Sequence, residues 1–228
     1  MKRISFVIAL LFSTPFIYAQ SLQVDLALQS GVSMPLFEFA GSNLQDGSFT
    51  LPGFTGSAET ILVLNGTWEG VVQAGLQLNP VDVGLLGARK VAADPFLEDL
   101  YIRSDPFRVI HLLAGPGYRK QLGKSFRIDG QVTAGVFFSS TPYQLYKSEY
   151  FQVGPPFFEI TSSRDVSFAY GAGLRLVYDI SPCYQVGFTN QLMHSTASFQ
   201  FITNAGIRTD VRNITIWNSS LSLILKLF

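Results

Sequence analysis

Apolar and polar residues alternate one by one along most of this chain, the period of a strand whose two faces meet different surroundings. Leu22, Val24, Leu26, Leu28, Val32 and Met34 are apolar, with Gln23, Asp25, Gln29, Gly31 and Ser33 between them. The same period returns in Val72, Ala74, Leu76 and Leu78, and in Phe126, Ile128, Val132, Ala134, Val136 and Phe138. It returns again in Tyr170, Ala172, Leu174, Leu176 and Tyr178, and in Tyr184, Val186 and Phe188. Noisier segments lie near 56–66 and 108–118, and a last one near 214–228 ends the sequence.

These segments predict eight strands. Short connections fall at Thr67–Gly70, Lys120–Lys124 and Ile180–Cys183, and long ones near 36–54, 80–106, 139–165 and 195–213. Strict alternation of short and long connections is what antiparallel strands make when tight turns lie on one side of a membrane and extended loops on the other. The expectation is an all-β fold: one domain over 20–228, built as an eight-stranded antiparallel transmembrane β-barrel. One long loop folding as an extra hairpin would make ten strands. A soluble exported β-protein that binds an apolar ligand would share the alternation with its apolar face turned inward.

The distribution of charge separates the two. A Lys or Arg facing lipid costs roughly 2–4 kcal/mol at the midplane, and in the five clean segments the apolar parity carries no charge. The opposite parity carries Asp25, Arg127, Asp129, Arg175 and Asp179, among Gln, Gly and Thr rather than the Lys and Glu of a water-facing sheet. With Arg119 these form a predicted lumen polar network, paired because an unpaired buried charge costs far more than a paired one. Eight strands leave a bore only wide enough for side chains, so the network predicts a salt-bridged plug rather than a pore. Pro116 has no free edge to occupy in a closed barrel, which predicts a bulge or strand end there.

Composition fits an envelope protein. Charged residues make up 14% of the 228 residues, against roughly 25% in an average soluble domain. Met1-Lys2-Arg3, the apolar run Ile4–Phe12 and the small residue Ala19 read as a secretory signal peptide over 1–19. Without Lys2 and Arg3, 14 basic residues face 16 acidic ones, a mature charge of about −2 that argues against nucleic acid as a partner. One cysteine, Cys183, and two histidines leave no basis for a disulfide framework, a metal site or a cofactor.

The opening strand running to Ser30-Gly31-Val32-Ser33-Met34-Pro35-Leu36, Gly115-Pro116-Gly117-Tyr118, Ser167–Leu174 and an apolar last strand ending at Phe228 together resemble the small outer-membrane β-barrel family of Gram-negative bacteria. That class includes OmpX-, OmpW- and PorT-like proteins. The resemblance implies the outer membrane as address, its lipid and the outer-membrane assembly machinery as partners, and no enzymatic activity. The protein would act through extracellular loops in adhesion, envelope integrity or binding of an extracellular ligand. A terminal aromatic is the family's assembly signal; Phe228 supplies it, although the apolar parity runs through Leu221, Leu223, Leu225 and Leu227.

Some barrels of this size are enzymes, notably lipid A deacylases, which resemble this fold and carry a His-x-Ser pair on a lipid-facing strand; a deacylase-like outer-membrane enzyme is the alternative function. Here His194-Ser195-Thr196 sets His194 and Thr196 on one face, a base beside a hydroxyl, with Thr where that family has Ser. A histidine at the outer end of a strand is more simply an interfacial residue, and His111 has the parity of the polar interior. Aromatic residues crowd the 139–165 loop (Tyr143, Tyr146, Tyr150, Phe151, Phe157, Phe158), and Phe96, Leu97, Leu100 and Tyr101 mark the 80–106 loop. They fit a binding surface and an interface girdle equally well.

Overall fold

The computed structural model describes residues 23–150, 157–203 and 206–227. The leader over 1–19, Leu22, Phe151 and Phe228 lie outside them. Eleven strands run in chain order: β1 (Gln23–Leu36), β2 (Gly53–Val63), β3 (Trp68–Asn79), β4 (Leu97–Ser104), β5 (Phe107–Gln121), β6 (Phe126–Ser140), β7 (Gln144–Tyr150), β8 (Phe157–Ile160), β9 (Arg164–Asp179), β10 (Tyr184–Thr203) and β11 (Gly206–Lys226). An α-helix, α1 (Val83–Ala93), precedes β4, and a 3-10 turn, Phe37–Ala40, follows β1. Eight strands close into a ring in the order β1, β11, β10, β9, β6, β5, β3, β2. Every neighbour is antiparallel, and β1 completes the ring against both β11 and β2. Closure leaves no edge unpaired, the condition for a sheet to sit in lipid.

The parity places the apolar set outside. Leu28, Val132, Phe168, Leu174 and Leu221 are exposed on the outer wall, whereas Asp25, Gln73, Asp129, Arg175 and Gln191 are buried within. This excludes a sandwich, which would bury the apolar set. Aromatic pairs mark the short-turn rim, where the rings of Trp68 and Tyr118 meet edge-on at 5.4 Å and those of Phe126 and Tyr178 tilt together at 4.9 Å. An outward amide within the apolar band, Asn190, accepts from Trp217 Nε1 at 3.1 Å and Ser219 Oγ at 2.6 Å.

Local chemistry sets the ends of the strands. The β2–β3 turn holds Asn65-Gly66 with Gly66 at φ +71°, a conformation glycine adopts at little cost. Asp82 caps α1 by accepting from Leu85 N–H at 2.9 Å. The helix stops before Asp94-Pro95, where proline disfavours helical geometry in the preceding residue. Pro116 makes neither a bulge nor a strand end. The β5–β6 ladder skips Gly115 and Pro116 and resumes in the same register at Gly117–Gln131. A Cβ at Gly115 would collide with the Val132 carbonyl oxygen, so glycine is what lets the two strands meet beside the missing N–H.

Three expectations about the long-loop end need correction. The segment 195–213 is not a loop, because β10 and β11 stay paired as far as Thr203 and Gly206. Instead of lengthening the ring by a hairpin, the 80–106 and 139–165 segments fold together as α1 and a separate sheet ordered β4, β7, β8. Nor is the interior polar throughout. In the half beneath this cap it is an apolar plug of Phe39, Phe49, Leu113, Phe137, Met193, Phe199, Ile214 and Ile216, continuous with Leu86, Leu100 and Ile102 of the cap.

Candidate functional site

The lower interior holds the charged side chains. Arg119 on β5 places Nη2 3.1 Å from Asp25 Oδ2 of β1 and 3.1 Å from Glu69 Oε2 of β3, with Nε 3.9 Å from Asp129 Oδ1 of β6. Arg127 Nε donates to Asp129 Oδ1 at 2.7 Å, and its Nη2 to Gln185 Oε1 at 3.2 Å. Arg175 on β9 pairs with Glu59 of β2 and donates from Nε to Thr189 Oγ1 at 3.1 Å. Gln29 Nε2 holds the other Glu59 oxygen at 3.0 Å. The structure thus brings Asp25, Arg119, Arg127 and Asp129 into one cluster, while Arg175 pairs nearby with Glu59. Asp179 stands at the short-turn rim, 3.2 Å from Lys226 Nζ, and is linked to the cluster through the Gln185 amide.

Glu59 and Glu69 are the members that sequence reasoning missed. Glu69 looked like part of a turn, and Glu59 sits on the strand whose alternation is blurred by Ile61 and Val63, which point inward. Four buried carboxylates therefore face three guanidiniums. Glu69 Oε1 is left without a partner among the described residues, packed where Gly117 has no side chain; a Cβ there would lie 2.7 Å from that oxygen. Glu69→Gln keeps an oxygen for Arg119 and removes the surplus charge. Its unfolding free energy should stay within about 1 kcal/mol of the wild type in a urea titration.

His111 has the inward parity expected of it, and His194 lies on the outer parity toward the end of the lipid-facing part of β10. His111 is buried against Phe137 at 6.2 Å between ring centres, and both its ring nitrogens lack a hydrogen-bond partner among the described residues. It borders the apolar plug and is no member of the polar network. His194 meets Thr215 Oγ1 through Nδ1 at 2.8 Å, while the Thr196 hydroxyl donates to Asn213 Oδ1 at 2.9 Å. The pairing of His194 with Thr196 that a deacylase-like site would use is not formed; the cross-strand register of β10 with β11 supplies each with another neighbour.

Above the plug, a cavity of about 780 Å³ opens at the mouth of the barrel. Its floor is Phe49, Leu100 and Phe107, and its walls include Tyr146, Phe158 and Phe201. Tyr146 stacks on Phe158, with ring centres 4.5 Å apart and planes within 5°. The Lys90 ammonium of α1 lies over the Tyr146 ring, 4.8 Å from its centre, an attraction worth ~0.5–2 kcal/mol. No carboxylate pairs with Lys90 among the described residues. Burial holds its pKa below the ordinary lysine value. Burial also pushes the Tyr146 phenol up to about 12, so it stays neutral. On the opposite wall, Arg212 is bound to Asp210 at 2.7 Å and to the Asp46 and Gly47 carbonyls at 2.6 and 3.0 Å, which locks the β10–β11 hairpin to the first loop. Arg208, also lining the cavity, has no such partner among the described residues. Aromatic and aliphatic side chains beside polar and cationic ones suit an amphiphile. No group of three His, Cys, Asp or Glu able to hold a metal occurs among the described residues.

No protein-family model matches the chain, and no curated protein matches it in sequence. Solved structures do. The chain is similar to Neisserial surface protein A, NspA, at 10% identity, over 90% of this chain and 97% of that one, with a TM-score of 0.51. It is also similar to a major outer membrane protein from Thermus thermophilus, at 8% identity, over 91% and 100% of the two chains, with a TM-score of 0.52. At such identity the likeness is one of fold: a transmembrane β-barrel of the outer-membrane type.

Proposed function

We propose that this chain is a non-enzymatic outer-membrane barrel that binds an amphiphile with an anionic head at its extracellular mouth. The observation that carries this reading is the Lys90 ammonium, without a carboxylate partner among the described residues, set over the stacked Tyr146 and Phe158 rings in a cavity lined by both apolar and polar side chains. In the same reading residues 1–19 are a cleaved leader, the assembly machinery inserts the barrel, and the charged lower interior with the apolar plug keeps the lumen shut. The protein then takes ligand from outside without conducting ions.

Laurate and dodecanol titrated against the protein in nanodiscs test the reading. Both should bind, with laurate preferred, and Lys90→Gln should lower laurate affinity about threefold to tenfold while leaving dodecanol unchanged. The pH dependence follows from the sign of the shift. Lys90 is a base with a lowered folded pKa, so it is charged below that value and neutral above it. Laurate affinity should therefore fall as pH rises through a window beneath the ordinary lysine range, and the variant should show no such fall. Equal, pH-independent binding of laurate by both proteins would remove Lys90 from the site, and no binding of either probe would overturn the proposal.

A further inference from the structure

Outside the mouth, the outer wall carries an ordered pair of cations. Arg108 on β5 faces Ser140 on β6 in the ladder, and Ser140 faces Arg164 on β9. Both arginines are exposed on the outer parity. Two strand spacings put them about 10 Å apart. Neither guanidinium has a carboxylate or hydrogen-bond partner among the described residues. Asp165, beside Arg164 in sequence, has the opposite parity and accepts from Ser198 N–H at 2.8 Å. Asp105 precedes Arg108 in the cap, its N–H bonded to the Tyr143 carbonyl.

Two residues further into the barrel, the same three strands present Ile110, Phe138 and Val166 in one row, 45%, 45% and 61% exposed. Leu112, Val136 and Phe168 form the next row. This face thus passes from a lipid-suited surface to paired cations within one step of the pleat. On β10 and β11 the first polar outward residues past Leu192 and Trp217 include no arginine or lysine: His194 bonds Thr215, and Thr196 bonds Asn213. Asn213 also holds Glu38 at 2.7 Å, so that side carries an acid. A ring of interfacial cations would surround the barrel; this pair occupies one face.

We infer that Arg108 and Arg164 form a docking site for a phosphorylated glycolipid of the outer leaflet, its phosphates on the two guanidiniums and its acyl chains on the Ile110–Phe138–Val166 and Leu112–Val136–Phe168 rows. Guanidinium forks match phosphate oxygens bidentately, and the bilayer supplies chains at the depth of the apolar rows. The site is separate from the mouth and does not depend on its ligand.

Native mass spectrometry of the detergent-released barrel with bis-phosphorylated lipid A, or with the same lipid after enzymatic dephosphorylation, tests the inference. The wild type should retain the phosphorylated form about tenfold or more over the other. R108Q/R164Q should lose that preference, and K120Q/K124Q, at the short-turn rim, should keep it. Migration of unboiled samples on a denaturing gel checks that each variant is folded. Equal retention of both lipids by the wild type, or an undiminished preference in R108Q/R164Q, overturns the inference. Displacement of the lipid by inorganic phosphate alone would also overturn it, in favour of a soluble-anion site.

Discussion

Arg175→Met lowers the unfolding free energy of the barrel by about 3–5 kcal/mol, the cost of leaving one member of a buried pair behind. Arg175 is 2% exposed and Glu59 is 1% exposed. In the variant Glu59 retains the Gln29 amide at 3.0 Å but has lost the guanidinium that pairs with it. Methionine fills most of the space of the arginine stem, which runs beside Gly187, where an added Cβ would lie 3.3 Å from Arg175 Cγ and Cδ. The loss is therefore electrostatic rather than a cavity effect. Removing both charges should restore most of the stability, so E59Q/R175M unfolds within about 1–2 kcal/mol of the wild type. Urea titrations in lipid, followed by the fluorescence of Trp68 and Trp217, give all three values. An Arg175→Met variant as stable as the wild type would mean that the pair sits in water, and the closed lower interior would be wrong.

The parts of this fold that were legible in the sequence are those with lipid on one side and polar groups on the other. β6 and β9 show it most clearly, since outward Val132, Leu174 and Leu176 alternate with inward Thr133, Gly173 and Arg175. β2 was harder because Ile61 and Val63 face inward and join Ala27, Val177 and Ile224 in a small apolar cluster, which blurs the alternation around Glu59. β10 was truncated for a different physical reason. Past His194 the strand leaves the lipid, and its parity inverts: Ala197 and Phe199 are buried against the plug while Thr196, Ser198 and Gln200 face outward. A reading tuned to apolar-out strands takes such a segment for a loop. The mouth was illegible for want of locality, since Lys90 and Tyr146 belong to connections 56 residues apart that meet only when β4 pairs with β7. The partner of His194 was hidden likewise, because Thr215 is reached through a register that no short motif encodes.

Val132→Arg tests the address of the outer wall by the depth of its effect. Val132 is 62% exposed on the outer parity of β6, six residues from the aromatic rim at Phe126 and six from Phe138. In a bilayer this is near the middle of the apolar band, where an arginine facing lipid costs about 2–4 kcal/mol. The same substitution at Leu122, 58% exposed in the short β5–β6 turn, should cost about 0–1 kcal/mol. Exposure is nearly equal at the two sites, so only the surrounding solvent can separate them. In water both changes replace an exposed apolar group by a charged one and should be close to neutral, within about 0.5 kcal/mol. Unfolding equilibria of the two variants, in bilayers of matched thickness, therefore distinguish a lipid-solvated belt from an exposed one. A gap of about 2 kcal/mol or more corresponds to a change in the unfolding constant of nearly thirtyfold or more. Equal effects at Val132 and Leu122 would place the wall outside a membrane.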